Sequence, residues 1–489
     1  MGHGISFYEN PTALVAPVEC DAATQVVIGR APINLLDNPE GAVNVPLLCN
    51  SFAEAVQKCG YSEDFDNFEI NQSIFETFKN FNVAPIIFIN VLDPTKDAHI
   101  TKVQAKEFTI EDGKIKLNEQ GILLKSIVVQ SIVEDGEPTV YKVEEDYVTA
   151  FDDDGKVVIA LAEGDTFKGV TKLSVKYNKL NPSGVTASDI VGGYNATTNK
   201  YKGIELLSQI FPVLNKVPSL VTAPGFSSDP IVYSALKAKT KGLNGVFKNI
   251  NICDVPTDEC KTYDSVNAWK NQNSFTDTHT YLGWPMVKHG DKKVYASVHA
   301  SAQLAQTIAD EPNGVPYISP SNNDAGITGT CLKDGTEVYL DQLQANTLND
   351  CGVFTYLNWQ GWKLWGNNMA CYPSNSDPKD RFISSRNVFN WWGNTFILTH
   401  FPQVDKPMNR RNIDRILTTE NIRANGFVAN EEIAAARMEF VETNNPATDI
   451  IGGKIKFKQY LTPYPPMQEI INEAEYDVDA LMEALFGGN

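Results

Sequence analysis

A chain of 489 residues is longer than one ordinary hydrophobic core supports, so two to four domains are expected. With 42% hydrophobic and 21% charged residues, its composition excludes a mainly disordered protein. A formal net charge of −19 argues against a primary nucleic-acid binder, which needs a basic footprint, and suits high solubility or a basic partner surface.

In chain order, residues 1–20 read as extended, because Pro11 and Pro17 break any helix and the apolar Ile5, Phe7, Leu14 and Val15 lack a helical period. "TQVVIGRA" predicts a short buried strand stopping at Gly29. "VPLLCNSFAEAVQKCGYS" predicts a strand, an N-cap at Asn50 or Ser51, and a helix ending at Gly60. "INQSIFETFKNFNVAPIIFINVLD" adds a helix and then a strand. Apolar strands alternating with helices imply an α/β layer.

From about 95 to 200 the texture changes to short alternating segments such as "KEFTIEDGKIKL" and "KLSVKYNKL". Asp-Gly turns recur at Asp112-Gly113, Asp135-Gly136 and Asp154-Gly155, predicting an inserted antiparallel β module. The α/β pattern then resumes. "GIELLSQIFPVL" predicts a helix and "VPSLVTAPG" a strand. "SSDPIVYSALKAKTKGL" predicts a helix capped by Asp229 with Pro230 at its first position. "FKNINICDVP" is a further strand, a helix is expected over 293–310, and "TLNDCGVFTYLNWQGWKLWGN" suggests a hairpin rich in aromatics. Residues 379–461 predict helices near 386–398, 408–424 and 430–437, then strands "RMEFVET" and "GGKIKFKQYL". On the latter, Ile455 and Phe457 share one face and Lys454, Lys456 and Lys458 the other. Pro465 and Pro466 end that strand, and the remaining tail reads as extended or weakly helical.

The search for chemistry returns no active site. The six histidines (3, 99, 279, 289, 299, 400) never take H-x-x-x-H or H-E-x-x-H spacing, and "DDDGK" reads as a hairpin turn rather than a calcium loop. "GFSSDP" lacks the second Gly of a nucleophile elbow, so Ser227, Ser228 and Asp229 read as a helix cap. His299 and Ser301, two residues apart, fall on different sides of a helix. No Gly-rich phosphate loop is present. Scattered carboxylates neither locate nor exclude paired acid–base catalysis. Trp359, Trp362, Trp365, Trp391 and Trp392 read first as core or interface, with a sugar platform as the alternative. Cofactors and metals are therefore not expected. No run of 18 or more apolar residues suggests a membrane span, and the N-terminus shows no secretory pattern. Eight cysteines without a C-x-x-C pair read as reduced, mostly buried thiols of a cytoplasmic product.

What stands out instead are apolar residues in extended termini: Ile5, Phe7, Leu14 and Val15 at one end, Ile470, Ile471, Tyr476, Val478 and Leu481 at the other. Ordering such segments costs entropy unless they pair with something, and strand addition to another molecule's sheet edge is the physical option.

Several stretches together carry a resemblance. They are "VVIGRA", "VPLLCNSFAEAVQKCG", "SLVTAPGFSSDPIVYSALKAKTKGLNGVFKNINICDVP", "VYASVHASAQLAQTIADEPNGVPYISPSN", "LNDCGVFTYLNWQGWKLWGN" and "TNNPATDIIGGKIKFKQYLTPYPPMQEI". In this order the chain resembles the contractile tail sheath proteins of myovirus-type bacteriophages and phage-tail-like bacteriocins; the stretch 95–200 shows no such match. The resemblance implies an α/β multidomain fold. Its parts would be an N-terminal arm over 1–20, a discontinuous α/β core of 21–94 plus 200–375, an outward β-rich insertion over 95–199, a C-terminal α+β domain over 376–466 and a C-terminal arm over 467–489. It implies a non-enzymatic homo-oligomer of stacked hexameric rings around an inner tail tube protein. Baseplate and tail terminator proteins would be partners, without direct nucleic-acid binding or membrane insertion, in a virion tail or bacteriocin particle made in the bacterial host cytoplasm.

On that reading the arms would add strands to neighbours at an acceptor sheet bearing Phe440, Ile455 and Phe457. Lys406, Arg410, Arg411 and Arg415 would be candidates to face the tube, against the plainer reading of a solvated helix face. The rival readings are a self-assembling surface-layer protein and an intracellular hydrolase or carbohydrate-binding protein using the tryptophans.

Overall fold

The computed structural model describes residues 21–133, 137–152 and 154–487. The N-terminal arm residues Ile5, Phe7, Leu14 and Val15 and the Asp135-Gly136 turn lie outside the described residues.

The first elements are β1 (Gln25–Gly29), β2 (Pro46–Cys49), α1 (Phe52–Cys59), α2 (Glu69–Ile74) and β3 (Ile86–Asn90). Ser51 Oγ accepts the Glu54 amide at 3.2 Å to start α1, and Gly60 ends it at φ +73°. A Cβ at Gly60 would run into the Pro32 carbonyl, so the cap is sterically reserved for glycine. Next come β4 (Ile100–Thr109), β5 (Lys114–Leu117), β6 (Val128–Gln130), β7 (Tyr147–Phe151), β8 (Val157–Leu161) and β9 (Lys172–Leu180). They form two antiparallel three-stranded sheets, ordered β4-β9-β6 and β5-β8-β7. Asp112 and Gly113 both take positive φ at the turn into β5. Along β5, Ile115 and Leu117 point inward and Lys114 and Lys116 outward. With Val129, Val157, Ile159 and Val175 they form an apolar cluster separate from the main core.

The chain then runs through α3 (Ala187–Val191), the small hairpin β10 (Gly193–Asn195) and β11 (Lys200–Lys202), α4 (Leu207–Leu214), β12 (Leu220–Thr222), α5 (Pro230–Thr240), β13 (Ile250–Asp254), α6 (Tyr263–Gln272) and β14 (Thr280–Gly283). Asp229 caps α5 by accepting the Ile231 amide at 2.8 Å, with Pro230 at the first helical position. A three-stranded sheet of β15 (Met286–His289), β16 (Lys292–Val294) and β17 (Gly329–Cys331) brackets α7 (Ala296–Ala309). After α8 (Gln342–Asp350), β18 (Val353–Asn358) and β19 (Trp362–Trp365) make the expected hairpin.

These segments build one eight-stranded sheet in the order β19-β18-β14-β13-β12-β1-β3-β2. Its six inner strands are parallel, and the two outermost, β19 and β2, run antiparallel to their neighbours. β1 lies between β3 and β12, so segments on either side of the β4–β9 excursion complete a single sheet. Its central strands are buried on both faces, which explains their unbroken apolar runs. Arg30 secures the junction. It pairs with buried Glu69 and donates to the Pro182 carbonyl at 2.9 Å, just where the excursion returns.

The last part holds α9 (Pro378–Arg381), α10 (Ile383–His400), α11 (Arg410–Ala429), β20 (Ala435–Glu439), α12 (Ala447–Ile451), β21 (Lys458–Thr462) and α13 (Val478–Phe486). The helix expected over 430–437 does not form. Asn430 closes α11, Glu431 takes φ +61°, and Ala435–Glu439 pair antiparallel with β21 despite their helix-favouring alanines. The two closing strands exist but are shifted. Phe440 follows β20, and Ile455 and Phe457 precede β21. The cause is Asn445, whose side chain takes up both backbone groups of Lys456, at 2.8 and 2.9 Å, before β21 begins.

Candidate functional site

The chemistry-bearing side chains of the α/β core are engaged with one another in structural roles. His299 lies buried between the Tyr356 hydroxyl, at 3.0 Å, and the Ala325 carbonyl, at 2.8 Å, while Ser301 donates to Gln25 Oε1 at 3.0 Å. His289 meets the fully buried Glu76 carboxylate at 2.5 Å. Burial pushes His299 below its ordinary range, although the Glu76 charge opposes this. The Ser227 hydroxyl accepts the Asp254 amide at 3.0 Å, and Asp254 accepts from the Ser297 amide and hydroxyl at 2.8 and 2.6 Å. Desolvation raises the Asp254 pKa to about 6. Among the described residues no group of three or more His, Cys, Asp or Glu is placed to hold a metal ion. The seven described cysteines are buried free thiols.

The tryptophans divide. Trp391 and Trp392 are buried on α10 and meet Phe427 of α11 edge-on at 5.3 and 5.9 Å. Trp359 is 61% exposed at the tip of the β18–β19 hairpin.

The more informative surface is carried by α10, α11 and the β20–β21 ribbon. Arg423 lies over Trp392 at 4.0 Å and pairs with Glu420, which also meets His400 at 2.8 Å. That buried set locks α11 against α10. The ribbon is then fastened to α11 by Asn421. Its amide donates to the Met438 carbonyl at 3.0 Å and its oxygen accepts the Met438 amide at 2.8 Å. Met438 stands opposite Gln459. Since its backbone groups go to Asn421 and not to β21, this is a non-hydrogen-bonded pair, and the groups of Gln459 and Leu461 turn outward too. The two edges of the ribbon therefore differ. β20 is clamped by a side chain, whereas among the described residues the outer edge of β21 has no strand beside it.

Beside that edge lies an apolar groove of about 440 Å³ floored by Phe389, Trp392 and Phe396 of α10 and walled by Met438, Phe457 and Leu461. Ile455 also lines it, and Phe440 packs on Phe457 with ring centroids 5.8 Å apart. Thus Phe440, Ile455 and Phe457 lie beside the paired strands rather than in them, and two of the three line the groove. Lys456 also lines it. On the ribbon, a hydrogen bond donated to Tyr460 raises the Lys458 pKa, and one donated to Glu439 does the same for Arg437, so both stay cationic.

Beyond Thr462 the chain leaves the body. Among the described residues its last side-chain hydrogen bond back is from Arg381 to Gln468 at 2.7 Å. Ile470, Ile471 and Tyr476 sit on backbone without regular secondary structure, 71–81% exposed, while Val478 and Leu481 sit on α13. Of the basic residues singled out in sequence, Arg410 pairs with Asp414 at 3.0 Å and Arg415 donates to Gln403. Lys406 and Arg411 are exposed, without an ion pair among the described residues. The Asn421 clamp and the α10 floor of the groove were not anticipated from sequence. Only the aromatic spacing of "FNWWGNTF" hinted at the floor.

No protein-family model matches the chain. Over its whole length it is 24% identical to the tail sheath protein of Burkholderia phage BcepMu, spanning 99% of that protein. It is 27% identical to a putative prophage major tail sheath protein of Pseudomonas aeruginosa, over 58% of this chain and 70% of that one. Its fold matches the sheath of an extracellular contractile injection system, PVC, in the contracted state. That match has a TM-score of 0.59 at 12% identity and covers 98% of this chain and 99% of the other. The curated relatives of this chain are thus tail sheath proteins of phages and prophages, and its structural neighbours are sheaths of contractile injection systems.

Proposed function

We propose that the chain is the structural subunit of a contractile tail sheath. The observation that carries this reading is end-to-end likeness to a phage tail sheath protein, with both chains covered almost completely. The subunits assemble as stacked hexameric rings around an inner tail tube protein, between baseplate and terminator, in a virion tail or bacteriocin particle. The segments 21–94 and 200–375 form the shared core, 95–199 faces outward, and 376–466 lies nearest the tube. Residues 1–20 and 467–489 are arms that connect rings by adding strands to neighbours. Lys406, exposed in the loop before α11, and Arg411, exposed in its first turn, are the better of the four tube-facing candidates, because Arg410 and Arg415 already have partners.

The outer edge of β21 supports this role. It offers backbone donors and acceptors at Gln459 and Leu461 and a groove for the side chains of an incoming strand. Contraction then draws on a metastable extended lattice and needs no nucleotide. Negative-stain microscopy of the purified chain tests the proposal. Hollow tubes of stacked rings are expected, and monodisperse particles at every concentration and salt would refute it.

A further inference from the structure

The strand-adding arm ends in a helix, which strand addition does not explain. α13 is capped by Asp477, whose carboxylate accepts the Ala480 amide at 2.9 Å. Val478, Leu481, Met482, Leu485 and Phe486 recur at helical spacing along one stripe and are 40–76% exposed. Nine residues are too few for a helix to be stable alone in water, so this one needs a surface to fold on. We propose that α13 docks its stripe into the α10 groove of a second copy, at the Ile455–Phe457 end, as a latch beyond the added strand. The inference rests on the sheath reading.

Three observations select a second copy. Charge is complementary. From 467 to 487 the tail holds six acidic residues (Glu469, Glu473, Glu475, Asp477, Asp479, Glu483) and no basic one. At the groove, Lys456 lines the wall and Lys454 shares Asp449 with it, two cations against one anion. Reach is sufficient, since residues 469–477 extended span up to about 30 Å. That length would also let the tail return to its own groove, yet its apolar residues stand exposed on the chain that carries them. Direction follows from the edge. A strand added antiparallel to β21 runs from the Leu461 end toward Phe457 and Ile455, which delivers the residues after it to that end of the groove.

The test uses the full-length chain. A photo-reactive benzoylphenylalanine replaces Leu485, polymer is grown from mixed 14N and 15N chains, and irradiated products are mapped by mass spectrometry. Crosslinks joining light to heavy chains within Phe389–Phe396 or Ile455–Leu461 are expected. Crosslinks within one chain, or to any other surface, overturn the docking. In parallel, Leu481→Ser with Leu485→Ser should raise the critical concentration for assembly at least about tenfold. If this double variant assembles like the unaltered chain, the latch is wrong and the sheath reading stands. An unaltered chain that never polymerises sinks both.

Discussion

Asp254 gives a prediction whose size can be worked out. Its carboxylate ends β13, 7% exposed, and accepts the Ser297 hydroxyl at 2.6 Å. Burial raises its pKa from 3.8 to about 6, and the Ser297 and Ser227 hydrogen bonds only partly offset this. A carboxyl group with a raised folded-state pKa binds more protons folded than unfolded between those values. Its contribution is therefore fully favourable below pH 3.8 and is lost as pH rises through about 6. Two units correspond to about 3 kcal/mol. Asp254→Asn keeps the shape and an acceptor for the Ser297 amide and removes the charge; the Ser297 hydroxyl can turn to accept from the new amide. Thermal unfolding followed by tyrosine and tryptophan fluorescence should show the variant more stable than the parent at pH 8 by about 1–3 kcal/mol, allowing for an imperfect replacement hydrogen bond. The advantage should vanish near pH 4. A variant destabilised equally at both values would show that Asp254 carries no burial penalty, and the argument would fail.

Two further predictions concern assembly. Deleting 468–489 should leave circular dichroism and melting of the body unchanged, since residues 468–487 are exposed, but abolish long tubes by electron microscopy. Tubes of normal length would refute the arm. Leu461→Pro removes an outward amide from the β21 edge while sparing the inward ladder, so the melting point should fall only slightly but sedimentable polymer should drop sharply. Unchanged sedimentation would place the acceptor edge elsewhere.

Local signals were legible wherever one residue type settles the backbone. Ser51 and Gly60 bound α1, and Asp229-Pro230 opens α5, because capping needs only neighbours in sequence. Apolar runs such as "IIFIN" revealed strands buried on both faces. The misses are tertiary. Ala435–Glu439 became a strand because β21 and Asn421 hold it, against its own propensity. "KIKF" alternates correctly, but Asn445, eleven residues before Lys456, takes its backbone groups. α6 carries no helical signal in the sequence, because "YDSVNAWKNQ" buries only Val266, Trp269 and Lys270, too few for a periodic stripe. The open edge was invisible for the same reason as the clamp: both depend on which side chain reaches which strand across the fold.

A ribbon of two strands is marginal by itself, and here it borrows stability from α10 and α11. One edge, β20, is satisfied internally by Asn421, while the other keeps outward donors at Gln459 and Leu461. That asymmetry means a third strand can be gained or lost without dismantling the first two, as a joint between the proposed moving rings would require. Hydrogen exchange reads it directly. In the dispersed chain Met438 should already be protected, since Asn421 holds its amide at 2.8 Å, while Gln459 and Leu461 should exchange quickly. On polymerisation, protection should appear at Gln459 and Leu461 with Met438 little changed. Protection arising instead at Ala436 would move the added strand to the β20 edge. Equal protection of Gln459 and Leu461 in both states would mean that the edge is not used for assembly at all.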